Sequence, residues 1–479
     1  MPEYTEPRLP DGRSEEAPAE RYFEWMTRPT APPPRRALEW VDEQALAPTP
    51  ARMDLRTATA PYAMVSPDLL DRRPRRSPLR ASVLLPIGGM LVLLAAYVAT
   101  TLLWPLNAVP PVVTATEIAA VSAPLSAPTW PEDGSAAIGV DGMAETISST
   151  TDPAMMASIT KLVTALLVLD QQPLTVGDPG PEYPVTMRDR YTYWEFLARG
   201  ESALDVPVGG TLTQYQLLQG TLIGSAGNYA ERLAKTFWPS DAVFARAARD
   251  WLAQHGLSGI TVVEPTGIDE DNQASPAAII ALADRALANP VIAEIVDTAS
   301  VTLPGAGEVD NTNDLLSDPA VTGVKTGGLW NYYNLVAARE VVVGETTVRV
   351  YATVLGQPTD RLRDAETARL LQAVSDEVAQ PAILPAEIVA GVVTTQWGEH
   401  ADIVTDEAGS VALWNGATAV AEPAFELGEA RAEGDAVGRL VFRGPLDDDT
   451  LVLRLADDID PPTTWWRLTH PLELFGLVD

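Results

Sequence analysis

The chain has 479 residues, more than one ordinary domain, so two folded units together with unstructured or membrane segments are expected. Its formal net charge of −32 argues against a nucleic-acid-binding surface, because phosphate recognition requires clustered Lys and Arg. It contains no Cys, which excludes thiol catalysis, disulfides and thiolate metal sites.

The first part of the chain is predicted to be a disordered cytoplasmic tail followed by a transmembrane helix. Residues 1–71 are rich in Pro, Arg, Glu and Ala without a sustained apolar period, a composition typical of disorder. A basic run, 72–80, precedes residues 81–104, which carry no charge and are long enough to cross a hydrocarbon core of about 30 Å. Because basic residues collect on the cytoplasmic side, we expect a single-pass protein of the cell membrane, with its N-terminus inside and the remainder extracellular.

Three further regions follow the predicted transmembrane helix. Residues 105–131 are rich in Pro, Ala, Ser and Thr, which indicates an extended linker. Residues 132–380 combine helical and strand patterns of apolar residues and form the predicted main domain. Its predicted helices are at 152–170 and 212–238, and its paired strands are at 333–338 and 347–355. Residues 381–479 change to short β-rich runs, which predicts a second, all-β domain. Near its end, Trp465 and Trp466 are expected to form a buried pair, with contact to lipid or sugar as the alternative.

A serine and a lysine in the segment PAMMASITKLVTALLVLD are the first candidate catalytic pair. Ser158 and Lys161 are three residues apart, one helical turn, so both side chains project from one face. Apolar residues cover most of the rest of this predicted helix, so we expect it to be buried. Burial disfavours the ammonium form, lowers the lysine pKa and lets the amine take the proton of a serine hydroxyl one turn away. The Ser-x-x-Lys spacing by itself is common in chains of this size.

Histidine is not the expected base. The three histidines, His255, His400 and His470, are scattered and lie in no metal-ligand spacing. His255 comes just before a Gly that is typical of a helix C-cap, where the helix dipole favours a cation. The sequence therefore predicts neither a metal site nor a cofactor.

Two more short motifs follow in chain order. Ser225 stands between two helical patterns in GTLIGSAGNYAERLA, and Lys325, Thr326 and Gly327 precede the predicted strand pair in VTGVKTGGLW. A lysine and a hydroxyl on a strand edge suit a peptide carboxylate, because the backbone pairs with the peptide while the charge holds its end. Each motif is weak alone, since a lone Lys-Thr-Gly is usually a turn and a lone Ser-Ala-Gly is usually a loop.

The order of the three motifs resembles that of penicillin-binding proteins and serine β-lactamases. Over residues 136–355 the chain resembles the serine D-alanyl-D-alanine carboxypeptidases, which are low-molecular-mass penicillin-binding proteins. The stretches EPTGID, NTNDLL and GVKTG add to the resemblance. It implies an α/β (α+β) fold, in which a central antiparallel sheet is flanked by helices and a helical subdomain holds the second motif.

The resemblance also implies roles for individual residues. Ser158 would form an acyl-enzyme, Lys161 would be the general base, and Ser225 would belong to a proton-shuttling motif. The backbone N–H groups of Ser158 and Gly328 would form the oxyanion hole. The implied partners are peptidoglycan stem peptides, with β-lactams as covalent inhibitors. The implied substrate-binding residues are Lys325, Thr326, Gly327, Gly328 and Asn228.

The second motif departs from the family pattern at its third position. Aligning the following Leu-Ala with that of the family sets the triplet as Ser225, Ala226 and Gly227, so glycine stands where the family has asparagine. Asn228 comes one residue later, about 100° further around a helix; either a rearranged loop brings it to the cleft, or it is a surface or capping asparagine. Loss of a substrate-orienting amide would cost about 2 kcal/mol or more of transition-state stabilisation.

Three functions remain open at this point. The first is an active carboxypeptidase that removes the terminal D-alanine of stem peptides outside the membrane. The second is a catalytically impaired member that acts as a cell-wall binding or interaction protein, motivated by Gly227 and the added β-domain. The third is a β-lactamase, motivated by Glu264 and Pro265, although the Leu-Asn that should follow them is missing.

Overall fold

The computed structural model describes residues 81–106, 109–143 and 145–478; the predicted tail, 1–71, and the basic run, 72–80, lie outside them. The α-helices of this part, in chain order, are α1 Ala81–Leu103, α2 Thr160–Gln171, α3 Met187–Ala198, α4 Gln214–Leu222, α5 Gly227–Phe237, α6 Asp241–Gln254, α7 Pro276–Leu287, α8 Pro290–Val296, α9 Asp360–Val378, α10 Thr464–Thr469 and α11 Pro471–Leu474. The strands are β1 Val112–Ala115, β2 Val121–Ser122, β3 Ser135–Val140, β4 Ile147–Ser148, β5 Ala154–Met155, β6 Glu182–Pro184, β7 Thr211–Thr213, β8 Ile260–Thr261, β9 Gln273–Ala274, β10 Ser300–Leu303, β11 Gly307–Asp310, β12 Val321–Leu329, β13 Tyr332–Val343, β14 Thr346–Gln357, β15 Ala382–Leu384, β16 Val389–Thr394, β17 His400–Thr405, β18 Gly409–Val411, β19 Thr418–Phe425, β20 Ala436–Arg443 and β21 Asp448–Leu455.

Helix α1 is long and apolar enough to cross a membrane, judged by its length and composition. It carries no charged residue, and Thr101 is its one buried side chain among the residues described. A soluble protein rarely exposes apolar surface on every side of a helix, whereas a lipid bilayer would cover it.

A five-stranded antiparallel sheet forms the centre of the main domain, in the order β12-β13-β14-β3-β4. Successive side chains of a strand point to opposite faces, and here both faces are covered. Val336 and Ala338 of β13 pack into the core that contains α2 and α7, whereas Leu335 and Ala337 pack into the core that contains α9. The predicted strands lie inside β13 and β14, and the predicted antiparallel sheet flanked by helices is confirmed.

Helix α2 is almost completely enclosed, with every residue from Thr160 to Leu169 buried. The helix predicted to begin at 152 instead begins at Thr160, after the short strand β5 and a single 3-10 turn, Ala157–Ile159. The predicted helix 212–238 is likewise divided into α4 and α5. Ala157 and Ser225 cause these breaks, because their φ values of 48° and 55° lie in the left-handed region and end a right-handed helix.

The C-terminal part is built on a seven-stranded antiparallel sheet in the order β1-β16-β17-β21-β20-β19-β2. Its two edge strands come from the segment 105–131, whose composition predicted an extended linker. Val113 pairs with Val393 in β16, and Val121 pairs with Ala419 in β19. The composition hid these strands because each is only two to four residues long and is surrounded by Pro, Ser and Thr.

The C-terminal sheet is attached to the main domain through α9. Trp414 is buried in the same core as the inner face of α9, and its indole N–H donates to Glu377 Oε2 at 2.7 Å. The other oxygen of Glu377 accepts from the hydroxyl of Ser126 at 3.0 Å. One carboxylate of α9 therefore joins the chain between β18 and β19 to the chain between β2 and β3.

The end of the chain packs against the C-terminal end of α1. Tyr97 donates its hydroxyl to Leu468 O at 2.6 Å, and Arg467 donates to Trp104 O at 2.9 Å. The expectation of a buried Trp465–Trp466 pair is wrong, because Trp465 is 74% exposed. Trp466 packs instead against other aromatic rings, edge to face with Trp397 and stacked on His470.

Candidate active site

Ser158 lies in the 3-10 turn that leads into α2, and its half-buried side chain remains accessible. Two neighbours fix this turn. Asn334 of β13 donates its amide to Met155 O at 2.8 Å, and the same amide oxygen accepts from Gly356 N at 2.8 Å. A Cβ on Gly267 would lie 2.0 Å from Ala157 O, so only glycine fits against the strained residue before the serine. Strain of this kind is typical of functional sites.

Lys161 is in direct contact with the candidate nucleophile. Its Nζ lies 2.7 Å from Ser158 Oγ and 2.6 Å from Thr266 O, and the residue is 2% exposed. Burial lowers the pKa of Lys161 to about 8, although the nearby carboxylates of Glu264 and Glu201 act in the opposite direction. A base within hydrogen-bond distance and with a pKa near the working pH is what proton removal from a hydroxyl requires.

The choice of cations in this chain is itself informative. Lys and Arg together number 33, and only three of these are lysines, Lys161, Lys235 and Lys325. Arginine does not lose its proton in proteins, whereas a buried lysine does. Two of the three lysines are buried in this site, and the third is an exposed side chain that pairs with Glu231. Lysine is thus used mainly where a removable proton or a compact cation is needed.

Glu264 organises the loop that contacts Lys161. Its carboxylate accepts hydrogen bonds from Thr266 N at 2.7 Å, Ile268 N at 2.8 Å and Asn272 Nδ2 at 2.6 Å. These bonds hold the loop so that Thr266 O faces Lys161 Nζ. The geometry gives Glu264 a structural role in the loop, which does not favour the β-lactamase alternative.

Ser225 lies in the turn between α4 and α5 and is 5% exposed. The turn is tied to the third motif by Thr312, whose N–H donates to Ile223 O at 3.3 Å and whose hydroxyl shares a short hydrogen bond with the hydroxyl of Thr326. Thr312 belongs to the stretch NTNDLL, and nothing in the sequence predicts a role for it. It holds the second and third motifs together.

Lys325 and Thr326 lie on β12, an edge strand of the central sheet. Lys325 is 1% exposed, and its Nζ lies 3.4 Å from Thr326 Oγ1. Burial holds the pKa of Lys325 well below its ordinary value, and the charges of Lys161 and Arg363 act in the same direction. None of the ion pairs within residues 81–106, 109–143 and 145–478 includes Lys325. An anionic ligand would relieve the cost of this buried charge.

Gly327 brings β12 against the turn that carries the nucleophile. A Cβ at this position would lie 2.7 Å from Met156 O and 3.3 Å from Ser158 N. The next glycine, Gly328, is under no such constraint, because the nearest atom to its Cβ would be Tyr333 Cδ1 at 3.7 Å. Glycine is therefore required at position 327 so that β12 can pack closely against the turn that carries Ser158.

The altered second motif has no room for a larger third residue. A Cβ on Gly227 would lie 2.3 Å from Cε1 of Phe196. Asn228 does not take over its place, because its amide oxygen accepts from Leu204 N at 3.1 Å and its amide nitrogen donates to Leu204 O at 2.8 Å. Asn228, which the sequence predicted as a substrate-binding residue, thus lies apart from the group around Ser158.

A cavity of about 500 Å³ lies beside this site, between α3 and α5. Neither Ser158 nor Lys161 lines it. Several of its charged side chains are already neutralised, as in the pair formed by Arg232 and Asp189 at 3.6 Å. We therefore assign the chemistry to the cluster around Ser158 and not to this cavity.

Comparison with known proteins gives one family. The family model described as D-alanyl-D-alanine carboxypeptidase matches residues 135–359. The chain is 27% identical over 224 residues to the D-alanyl-D-alanine carboxypeptidase DacF of Bacillus subtilis (strain 168), which covers 45% of this chain and 54% of that protein. It is 29% identical over 221 residues to the D-alanyl-D-alanine carboxypeptidase DacC of Escherichia coli (strain K12), with the same coverage of 45% and 54%.

The chain thus spans about half the length of the curated relatives it matches. Among solved structures, penicillin binding protein 5 from Haemophilus influenzae is similar with a TM-score of 0.48 and 17% identity. That similarity covers 70% of this chain and 100% of the other.

Proposed function

Since residues 135–359 belong to the D-alanyl-D-alanine carboxypeptidase family, we propose that the chain is a serine carboxypeptidase that removes the terminal D-alanine of peptidoglycan stem peptides. The observation that carries the proposal is the contact between Ser158 Oγ and the Nζ of a buried lysine at 2.7 Å. Burial shifts the pKa of Lys161 to about 8, so a useful fraction of the amine is neutral near physiological pH.

The reaction begins when Lys161 Nζ takes the proton of Ser158 Oγ as the oxygen attacks the carbonyl carbon of the penultimate D-alanine. The backbone N–H groups of Ser158 and Gly328 stabilise the negative charge on the tetrahedral intermediate. The C–N bond then breaks, and the amine of the departing D-alanine receives, through Ser225, the proton that Lys161 had taken from Ser158. Water releases the acyl group from Ser158 in the second half of the cycle.

Substrate recognition falls to β12. Lys325 and Thr326 bind the terminal carboxylate, and the buried ammonium of Lys325 neutralises the negative charge of this ligand. The free edge of β12 lets an extended peptide pair its backbone with the strand. A β-lactam that mimics the D-alanyl-D-alanine end would acylate the same serine.

The proposed site acts outside the cytoplasm. Helix α1 is an apolar span, and the sequence before it ends in the basic run 72–80. Such a run favours a cytoplasmic N-terminus, which leaves the part after α1 on the opposite side of the membrane. Peptidoglycan stem peptides are available there.

One observation favours the second candidate, a wall-binding protein without catalysis. Gly227 cannot carry the amide that the family places at this position, since Phe196 occupies the space. A cleft that binds stem peptides through Lys325 would keep its affinity without turning them over. The two candidates differ in whether Ser158 becomes acylated.

The test is covalent labelling of the full chain in detergent with a fluorescent penicillin. We expect one label per wild-type molecule, no label on Ser158→Ala, and full labelling of Ser300→Ala, which changes an exposed serine on β10. Unlabelled wild-type protein with intact thermal unfolding would contradict the carboxypeptidase and leave the wall-binding candidate.

A further inference from the structure

A threonine outside the three motifs contacts a residue that is proposed to hold the substrate carboxylate. Thr312 follows β11, and its hydroxyl oxygen lies 2.5 Å from the hydroxyl oxygen of Thr326 on β12. Thr326 is 5% exposed, whereas Thr312 is an exposed residue. Packing in the core therefore does not explain where the Thr312 hydroxyl is placed.

The backbone around Thr312 is held on both sides by asparagine side chains. Asn311 Nδ2 donates to Thr298 O at 3.0 Å, and Asn313 Nδ2 donates to Gly323 O at 3.0 Å. Asn313 N also donates to Asn311 Oδ1 at 3.0 Å, which is an Asx turn around Thr312. These bonds fix the backbone of Thr312, and its hydroxyl is presented to β12 in spite of its exposure.

The hydroxyl of Thr326 has one proton to donate and two lone pairs that accept. Among the described residues, its hydrogen-bond neighbours are Thr312 Oγ1 at 2.5 Å and Lys325 Nζ at 3.4 Å. A lysine ammonium only donates, so Lys325 occupies one lone pair of Thr326. The direction of the bond between the two threonines then decides whether the single proton of Thr326 is available to a ligand.

A terminal carboxylate determines the direction of this bond. An ionised carboxylate only accepts, so Thr326 binds it by donating its one proton. Thr326 then has no proton left for Thr312, and the bond between them forms with Thr312 as the donor. A hydroxyl that accepts a hydrogen bond is a stronger donor, because bonds in a chain polarise one another. Donation from Thr312 thus directs and strengthens the bond from Thr326 to the ligand.

A neutral carboxamide end would fit this arrangement less well. Its NH₂ group requires an acceptor. Both lone pairs of Thr326 are occupied, one by Lys325 and the other by Thr312. A donor that is taken out of water without a partner costs free energy. The two threonines therefore favour a carboxylate over an uncharged group of the same shape, in addition to the charge of Lys325.

We infer that Thr312 is a positioning residue that selects for a free carboxylate at the end of the bound peptide, and that it does so by donating a hydrogen bond to the Thr326 hydroxyl. The inference rests on the proposed function to the extent that Lys325 and Thr326 hold the terminal carboxylate. It does not depend on acylation of Ser158, so it applies equally to a cleft that binds stem peptides without cleaving them.

The test measures binding without turnover. The full chain carrying Ser158→Ala is titrated in detergent with a stem pentapeptide that ends in D-alanyl-D-alanine, and separately with the same peptide as its C-terminal carboxamide. NMR signals of the peptides give the two dissociation constants.

We expect the carboxylate peptide to bind more tightly than the carboxamide. Adding Thr312→Val should weaken binding of the carboxylate peptide by roughly three- to tenfold, as the loss of one hydrogen bond predicts. The carboxamide should lose less, because the valine frees a lone pair of Thr326 for its N–H group. Thr312→Ser keeps the hydroxyl and should retain the selectivity. Thr312→Ala takes the place of the valine variant if that variant does not fold.

Thr302→Val is the matched control, because Thr302 is an exposed threonine on β10. It should leave both dissociation constants unchanged. If Thr312→Val keeps the wild-type ratio of the two constants, the inference is overturned and Thr312 is only a structural link between the second and third motifs. A chain that binds both peptides equally, or neither, would also overturn it, since Thr326 would then not hold the carboxylate.

Penicillin labelling of the wild-type chain tests the proposed reaction separately. An unlabelled chain whose preference for the carboxylate depends on Thr312 would retain the inference and refute the carboxypeptidase. A labelled chain without that preference would do the reverse.

Discussion

At the scale of single residues, the proposal depends on a lysine that gives and takes a proton. Lys161→Arg keeps a positive charge beside Ser158 but removes the base, since arginine stays protonated. We expect the rate of penicillin acylation to fall by roughly 10²–10⁴-fold. Lys235→Arg is the matched control, because Lys235 is an exposed lysine paired with Glu231. A Lys161→Arg variant that acylates at the wild-type rate would show that the base is another group.

The pH dependence follows from the same residue. Lys161 accepts a proton only in its neutral form, and the neutral fraction increases as pH rises through its pKa of about 8. We therefore expect the acylation rate constant at saturating penicillin to increase from pH 6 to pH 9. Binding of the carboxylate needs the ammonium of Lys325, whose pKa burial lowers, so affinity should fall as pH rises through that lowered pKa. A rate constant that decreases with rising pH would be inconsistent with a lysine base.

The sequence predicted the residues that take part directly in the proposed reaction. Ser158 and Lys161 were recognised because helical spacing brings them together along three residues of chain. Thr312 and Thr266 were not recognised, since their contacts with the site join distant parts of the chain.

At the scale of elements, the packing of α3 on α5 explains the glycine of the second motif. Gly227→Asn would place its Cβ 2.3 Å from Cε1 of Phe196, so the two helices must separate. We expect the variant to lose roughly 1–3 kcal/mol of folding stability. Phe196→Ala should also be destabilising, because the ring is 3% exposed.

The double variant Gly227→Asn with Phe196→Ala distinguishes a local clash between these two side chains from a general loss of packing. Removing the ring makes room for the asparagine, so the combined loss should be smaller than the sum of the two single losses. Urea unfolding of the full chain in detergent measures all three. Strictly additive losses would show that the asparagine is accommodated elsewhere.

Periodicity predicted the existence of the elements better than their limits. The strands of the central hairpin were found because both faces of β13 and β14 are apolar. The breaks at Ala157 and Ser225 were not, since a left-handed alanine or serine is imposed by tertiary contacts and has no local signature. Strands β1 and β2 were missed because their pairing partners, β16 and β19, lie far away in the sequence.

At the scale of the whole molecule, the proposed orientation across the membrane has a direct test. The chain has no cysteine, so single introduced thiols report their side of the membrane without background. Ser317→Cys, at an exposed position of the main domain, should react with an impermeant maleimide on intact cells, and Ser66→Cys should react only after permeabilisation. The reverse pattern would place the candidate site in the cytoplasm and remove its proposed substrate.

The central claim is that Ser158 is acylated by a D-alanyl-D-alanine end and releases D-alanine. The most direct measurement incubates the full chain with a stem pentapeptide, quantifies free D-alanine, and examines the rapidly quenched protein by mass spectrometry. We expect one D-alanine for each tetrapeptide formed and a tetrapeptide ester on Ser158, with both absent in a folded Ser158→Ala variant. Pentapeptide that stays intact with folded wild-type protein, or that is cut equally by Ser158→Ala, would contradict the account.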